Sequence, residues 1–154
     1  VVAMTGKSGQ HNYLRELGAS DFVDRGSLNM GSRPLEKSLW GGAIDNVGGE
    51  VLGWLTRTVK PWGSIAAIGN AGGIKLETTV LPLILRGVSL LGINSIEMSN
   101  ELRNRAWSRL ATDLKPVHLD MIAGRIIDFH KLPEAFGAYI DGSVTGRTVV
   151  RIGD

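Results

Sequence analysis

Short apolar runs that close on glycine or polar residues alternate with stretches of helical spacing along the whole chain. The run Val1-Val2-Ala3-Met4-Thr5, bounded by Gly6, predicts a short buried strand over residues 1–5. Residues 8–17 place Tyr13, Leu14 and Leu17 at helical spacing and stop at Gly18. Phe22-Val23 marks a second strand, and residues 25–34 form a polar, Gly/Ser-rich loop. Residues 35–40 fit neither period. Further strands are predicted over 42–49, 63–68, 88–93, 126–127 and 148–152. Helices are predicted over 50–58, 81–85, 100–110 and 133–140, with Pro82 suited to a first turn. The helix over 100–110 has Leu102, Ala106 and Leu110 on one face and Glu101 four residues before Arg105.

Strands alternating with helices at this spacing predict an α/β fold, a Rossmann-like parallel sheet with helices on both faces. Ligands in such sheets bind beyond the carboxyl ends of the strands. The positions that matter are therefore Thr5-Gly6-Lys7, residues 45–49, residues 69–73, and Asn94-Ser95.

A length of 154 residues fits one domain, and 43% hydrophobic with 21% charged residues excludes extended disorder. Seventeen Lys and Arg against 15 Asp and Glu leave +2, and the cations are scattered, so a nucleic-acid groove lacks support. No apolar stretch reaches the roughly 18 residues of a spanning helix, which argues against a membrane partner. Cysteine is absent, which removes disulfides, thiol catalysis and Cys-ligated zinc. That composition fits a reducing, cytoplasmic compartment. His11, His118 and His130 lie far apart and read as surface or packed residues, so no metal site is expected. Neither a Gly-x-Ser-x-Gly elbow nor a phosphate loop occurs.

Thr5-Gly6-Lys7, followed by Ser8, offers a cation and hydroxyl donors where a dinucleotide sheet would place an acid on the adenosine ribose. That chemistry favours a 2′-phosphate, although Lys7 reads equally as a solvated residue at a helix start. Asp45, next to a glycine pair, reads first as a turn or capping carboxylate. Gly69-Asn70-Ala71-Gly72-Gly73 lets backbone approach a flat ligand, or is a wide turn. No G-x-G-x-x-G occurs, so the usual pyrophosphate turn is missing from these residues.

Several strings together resemble the quinone oxidoreductase branch of the medium-chain dehydrogenase/reductases. They include residues 1–7, Tyr13-Leu14, Leu17-Gly18-Ala19-Ser20 and Arg33-Pro34-Leu35-Glu36-Lys37. Trp40 with Gly42-Ala43-Ile44-Asp45, residues 69–73, Ile84-Leu85-Arg86-Gly87-Val88 and Gly146-Arg147-Thr148 complete the likeness. The similarity is greatest to the NADPH-dependent acryloyl-CoA reductase group, often described as zinc-type alcohol dehydrogenases without the zinc ligands. The resemblance implies a C-terminal part of a two-lobed enzyme, beginning at the second strand of the nucleotide-binding sheet. Residues 1–112 would then be a partial Rossmann domain lacking its first strand and glycine-rich turn, and 113–154 a tail of the substrate lobe.

Carried onto this chain, the resemblance implies that Thr5, Gly6 and Lys7 hold the 2′-phosphate of NADPH. Asn70, Ile84 and Ser95 would lie toward the nicotinamide, and Arg147 close to the cofactor. Asp21 departs from relatives that carry a basic residue nearby, and weakens the phosphate site unless Arg25 reaches in. No residue is assigned as catalytic. The strand 88–93, with Val88 and Ile93 at its ends, would pair across a dimer axis. The intact enzyme would reduce a conjugated carbonyl, a quinone or a 2-enoyl-CoA, by hydride transfer. A non-catalytic α/β association module is the alternative; an S-adenosylmethionine-dependent transferase fits less well, because it too wants an acid after the second strand.

Overall fold

The computed structural model describes residues 1–153. The elements in chain order begin with β1 (Val2–Thr5), α1 (His11–Glu16), β2 (Asp21–Asp24) and β3 (Trp40–Asp45). Then come α2 (Gly49–Thr58), β4 (Val59–Ala67), α3 (Leu81–Arg86) and β5 (Ser89–Gly92). The remainder holds α4 (Asn100–Ala111), α5 (Leu119–Ile122), β6 (Arg125–Asp128), α6 (Leu132–Ile140) and β7 (Thr148–Arg151). Two compact units result: Leu28–Ser99, and residues 1–27 with those from 100 onward.

Every paired strand runs parallel to its neighbour, as βαβ crossovers require. In the unit Leu28–Ser99 the order is β3-β4-β5, with α2 crossing from β3 to β4 and α3 from β4 to β5. This unit carries the hydrophobic core. Val51, Leu52, Trp54 and Leu55 on α2 pack with Val59 and Ile65 on β4 and with Val88, all buried. Trp40 meets Trp54 edge-on at 5.9 Å between ring centroids. Thr56 and Thr58 are buried but satisfied, since their hydroxyls donate to the helix carbonyls of Gly53 and Trp54 at 2.7 and 3.0 Å.

The other unit contains two separate parallel pairs, β1-β2 and β6-β7. The β1-β2 register runs from Val2 opposite Asp21 to Thr5 opposite Asp24. His11 on α1 stacks on Phe22 of β2 at 4.1 Å, and the Arg15 guanidinium lies 5.1 Å from the same ring. Among the described residues, Ala19 and Ala135 are its only buried apolar residues.

Two expectations are corrected here. Residues 1–5 are not a buried strand: β1 pairs with β2 alone, and Val2 is 40% exposed. The helix over 100–110 forms as α4, yet Leu102 and Leu110 stay exposed and α4 buries nothing among the described residues. Trp54 is core, whereas Trp62 and Trp107 are exposed.

Trp62 belongs to an irregularity in β4. Val59 to Ser64 spans five residue steps on β4 while Trp40 to Gly42 spans two on β3, so the chain must loop out between them. Trp62 takes a φ of 65°, a conformation that costs a bulky residue about 1–2 kcal/mol. Gly63 brings the strand back into register. A Cβ there would lie 2.5 Å from the Gly41 carbonyl oxygen and against Val59 Cγ1.

This geometry sets a test. Gly63→Ala should lower stability by about 1–3 kcal/mol through overpacking. Gly92→Ala, in β5 with open space around the added methyl, should be near neutral. Urea midpoints of the two variants measure the contrast, and equal midpoints would refute the packing account.

Candidate functional site

The carboxyl ends of the strands present two groups of candidate residues, one in each unit. In the unit Leu28–Ser99 the loops after β3 and β4 meet backbone to backbone. Asp45, the last residue of β3, is 2% exposed. Its carboxylate accepts the Val47 N–H at 3.2 Å and the Gly48 N–H at 2.8 Å. It is the turn carboxylate that its setting beside two glycines predicts. The Gly72 N–H donates to the Val47 carbonyl at 2.6 Å, the Ala71 N–H to that of Asn46 at 3.3 Å, and Gly48 bridges to Gly73.

Side chains are excluded from this junction. A Cβ at Gly48, where φ is 69°, would stand 2.5 Å from the Gly73 carbonyl oxygen. One at Gly69 would stand 2.9 Å from that of Asn46. The result is a glycine-walled ledge at the ends of two adjacent strands, with Asn70 exposed on it. Ser95 follows β5, whose Gly92 pairs with Ala67 of β4, so Asn70 and Ser95 lie beyond the same end of neighbouring strands. Ile84 sits on α3, 70% exposed.

The second group lies in the other unit. The Lys7 N–H donates to Thr5 Oγ1 at 3.0 Å, which closes the turn after β1 and leaves the hydroxyl proton available to donate. The Arg25 N–H donates to the Thr5 carbonyl at 3.1 Å. Its guanidinium lies over Gly6, with Nη2 3.7 Å from where a Cβ on Gly6 would stand. Arg25 thus does reach the turn. Asp21, by contrast, faces Val2 at the opposite end of the strand pair, roughly 10 Å away at the usual strand rise. The acid beside Thr5 in register is Asp24, which accepts the Gly26 N–H and the Ser27 hydroxyl.

Lys7 Nζ donates to the Val144 carbonyl at 3.1 Å. Arg147 is three residues further along the same loop, anchored where its N–H meets the Ile122 carbonyl at 2.6 Å. The fold therefore brings the loop that carries Arg147 onto Lys7, though 137 residues separate Lys7 from Val144. The sequence reading missed the Val144 contact and Asp141 because no spacing rule links the ends of a chain.

A separate cavity of about 480 Å³ opens among Leu28, Met30, Arg33, Glu36, Leu39 and Trp54. Arg33 and Glu36 form an ion pair at 2.7 Å on its wall. The Arg86 guanidinium holds the Glu36 carbonyl at 2.5 Å and the Arg57 carbonyl at 2.7 Å, so this loop is pinned to the end of α2. Among the described residues, no group of three His, Asp or Glu side chains gathers as a metal-binding set.

Thr5, Gly6, Lys7 and Arg25 fit a phosphate by chemistry: a hydroxyl, a glycine with the Arg25 guanidinium over it and a lysine next in the chain, without a carboxylate in the turn itself. The glycine ledge fits the close approach of a flat group.

No family model matches the chain. It is 40% identical over 153 residues to acrylyl-CoA reductase AcuI of Ruegeria pomeroyi, covering 99% of this chain and 46% of that protein. It resembles the structure of the yhdH oxidoreductase of Salmonella enterica in complex with NADP, at a TM-score of 0.92 and 41% identity, covering 99% of this chain and 47% of that one. It also resembles Bacillus subtilis yhfP with NAD bound, at a TM-score of 0.93 and 38% identity, covering 99% and 46%. The chain spans about half the length of the curated relatives it matches.

Two tests follow from the geometry. Asp45→Ala strands two N–H groups and should cost about 1–3 kcal/mol, while Asp45→Asn, which keeps an oxygen acceptor, should cost less; denaturant unfolding ranks them. For Glu36, the hydrogen bonds from Arg33 hold the carboxyl below the ordinary carboxylate range. A lowered acid stabilises the fold above its unfolded pKa and loses that contribution as pH falls through the folded value. The midpoint difference between the unaltered chain and Glu36→Gln should therefore be full at neutral pH and shrink below about pH 4. A difference constant down to pH 2 would overturn this.

Over nearly its whole length the chain is thus similar to part of acrylyl-CoA reductase and quinone oxidoreductase relatives, and its fold matches part of solved NADP- and NAD-bound oxidoreductases.

Proposed function

We propose that residues 1–154 are the cofactor-binding part of a longer, zinc-independent, NADPH-dependent reductase acting on a conjugated carbonyl. The substrate class is a quinone or a 2-enoyl-CoA such as acryloyl-CoA, the chemistry printed in the name of the Ruegeria pomeroyi relative. The observation that supports this reading is the turn after β1, where the Arg25 guanidinium lies over Gly6 and Lys7 follows directly, its N–H on the Thr5 hydroxyl oxygen. A 2′-phosphate finds charge-assisted donors there, and a bare ribose finds no carboxylate in the turn to receive its hydroxyls.

When bound, NADPH supplies hydride to the β-carbon of the substrate, and a proton is added at the α-carbon. In this reading Thr5, Gly6 and Lys7 fix the adenosine end. The ledge with Asn70, together with Ile84 and Ser95, borders the nicotinamide side, and Arg147 approaches the cofactor from its loop. The proton donor lies outside these residues. Residues 1–112 serve nucleotide binding and 113–154 belong to the substrate lobe. The 154 residues alone, without a glycine-rich pyrophosphate turn, are catalytically silent.

Self-association, as a homodimer or a higher assembly, uses the strand that contains β5. Among the described residues β5 pairs only with β4, which leaves its other edge for a second copy. The setting is cytoplasmic; no helix among the described residues is long and apolar enough to cross a membrane.

Lys7→Glu in the full-length protein tests the cofactor assignment. It removes a charge-assisted contact worth about 1.5–3 kcal/mol and adds repulsion, so NADPH should weaken about tenfold to a hundredfold while NADH changes little. Equal use of both cofactors by the unaltered protein, in initial-rate or binding titrations, would sink the assignment. Equilibrium sedimentation that finds only monomer would remove the pairing through β5.

A further inference from the structure

The loop between α6 and β7 is built in a way that bears on Lys7. At the end of α6 the chain turns sharply: the Asp141 N–H donates to the Gly137 carbonyl at 3.0 Å and the Gly142 N–H to that of Tyr139 at 3.3 Å. The Ser143 N–H donates to Asp141 Oδ1 at 2.8 Å, and the Ser143 hydroxyl donates to the Ala138 carbonyl at 3.3 Å. Gly142 and Gly146 adopt φ of 70° and 74°, which lets the chain reverse twice within five residues. A Cβ on Gly146 would stand 2.5 Å from the Ile122 carbonyl oxygen and 3.2 Å from the Tyr13 hydroxyl, so this loop packs down on α1 and α5. Val144, between the two glycines, aims its carbonyl at Lys7 Nζ, 3.1 Å away.

The ammonium assigned to a 2′-phosphate already has a partner, therefore, and that partner follows Ser143, whose N–H is held by the Asp141 carboxylate of the same turn. The Asp141 carboxyl is held below its ordinary range chiefly by its hydrogen bonds from Ser143, with a further contribution from the charge of Lys7. Other charged groups of this region include Arg25, over Gly6, Arg147 on the same loop as Val144, and Asp24, whose carboxylate is engaged with Gly26 and Ser27.

We propose that the Asp141–Val144 turn is a specificity element of the adenosine end, in which the Val144 carbonyl positions the Lys7 ammonium and Asp141 sets how much of its charge a 2′-phosphate receives. This rests on the reading that Lys7 meets that phosphate. Asp141 touches no ligand itself; it acts through Lys7. An incoming dianion must outcompete a carbonyl and a nearby carboxylate for the same cation, whereas a nucleotide without the 2′-phosphate leaves that contact undisturbed. The turn thus lowers the preference for the phosphorylated cofactor below what Lys7 and Arg25 alone would give.

The test titrates 2′,5′-ADP and 5′-ADP, by calorimetry, into the full-length protein that contains residues 1–154. Asp141→Asn keeps an oxygen to accept the Ser143 N–H, so the turn persists while its charge goes. It should tighten 2′,5′-ADP roughly two- to fivefold, the range of an exposed ion pair, and leave 5′-ADP unchanged. In a Lys7→Gln background the same substitution should have no effect, which separates action through Lys7 from a general change in surface charge. No change with Asp141→Asn, or an equal change for both nucleotides, overturns the proposal. If Lys7→Gln itself leaves the preference for 2′,5′-ADP intact, the cofactor reading fails as well. If Lys7→Gln abolishes that preference but Asp141→Asn does not alter it, the reading stands and this inference alone fails.

Discussion

The unit Leu28–Ser99 depends on one buried carboxylate whose partners are backbone. Asp45 ends β3 where the chain must leave the sheet and start α2, and it takes two N–H groups that the turn would otherwise bury without partners. That fixes the path of residues 46–48, and this path in turn receives the loop after β4 through the Val47 and Asn46 carbonyls. The two loops come so close that only glycine fits at the crossing points. The composition of the site thus follows from its geometry: once two main chains must touch, side chains are shut out, and a flat surface of peptide groups remains at the ends of the strands.

Much of this was legible in the sequence, for physical reasons that differ from element to element. The strand and helix periods of 42–68 were readable because a real core stands behind them, with Val51, Leu52 and Leu55 facing β4. The helix over 100–110 was equally readable as a helix, but periodicity reports an apolar face and says nothing of what covers it; Leu102 and Leu110 remain exposed. Trp62 shows a related limit of local pattern. Its size suggests burial, yet it occupies a left-handed position in a loop-out of β4 that exists only because β3 and β4 differ in length between Trp40 and Gly42. No local pattern carries that mismatch.

The site divides along the same line. Thr5-Gly6-Lys7 could be singled out as a candidate from residue chemistry and its place after a strand. Asp21 looked adverse because the resemblance places a basic residue near that position, and only the parallel register shows that it sits at the far end of β1. Arg25, four residues later, lands beside the turn because parallel pairing carries β2 in the same direction as β1. Sequence distance is a poor guide to charge proximity in parallel sheets for this reason. Like ends of strands gather together, while the residues between them are carried away by crossovers.

The relatives sharpen what such details decide. One solved neighbour holds NADP and another holds NAD, at nearly the same TM-score to this chain. A backbone common to both cannot be what separates the two cofactors, since they differ by a single phosphate on the adenosine ribose. Discrimination has to reside in the charges within reach of that phosphate, and a change of one elementary charge there is enough to alter it. Lys7 is held by a carbonyl from a loop 137 residues away, next to an acid that no strand or helix requires. On the proposed reading, the preference is not a property of the turn after β1 by itself. In that reading it is the balance between the turn and the loop that packs on it, and such a balance can shift through either partner without moving a strand.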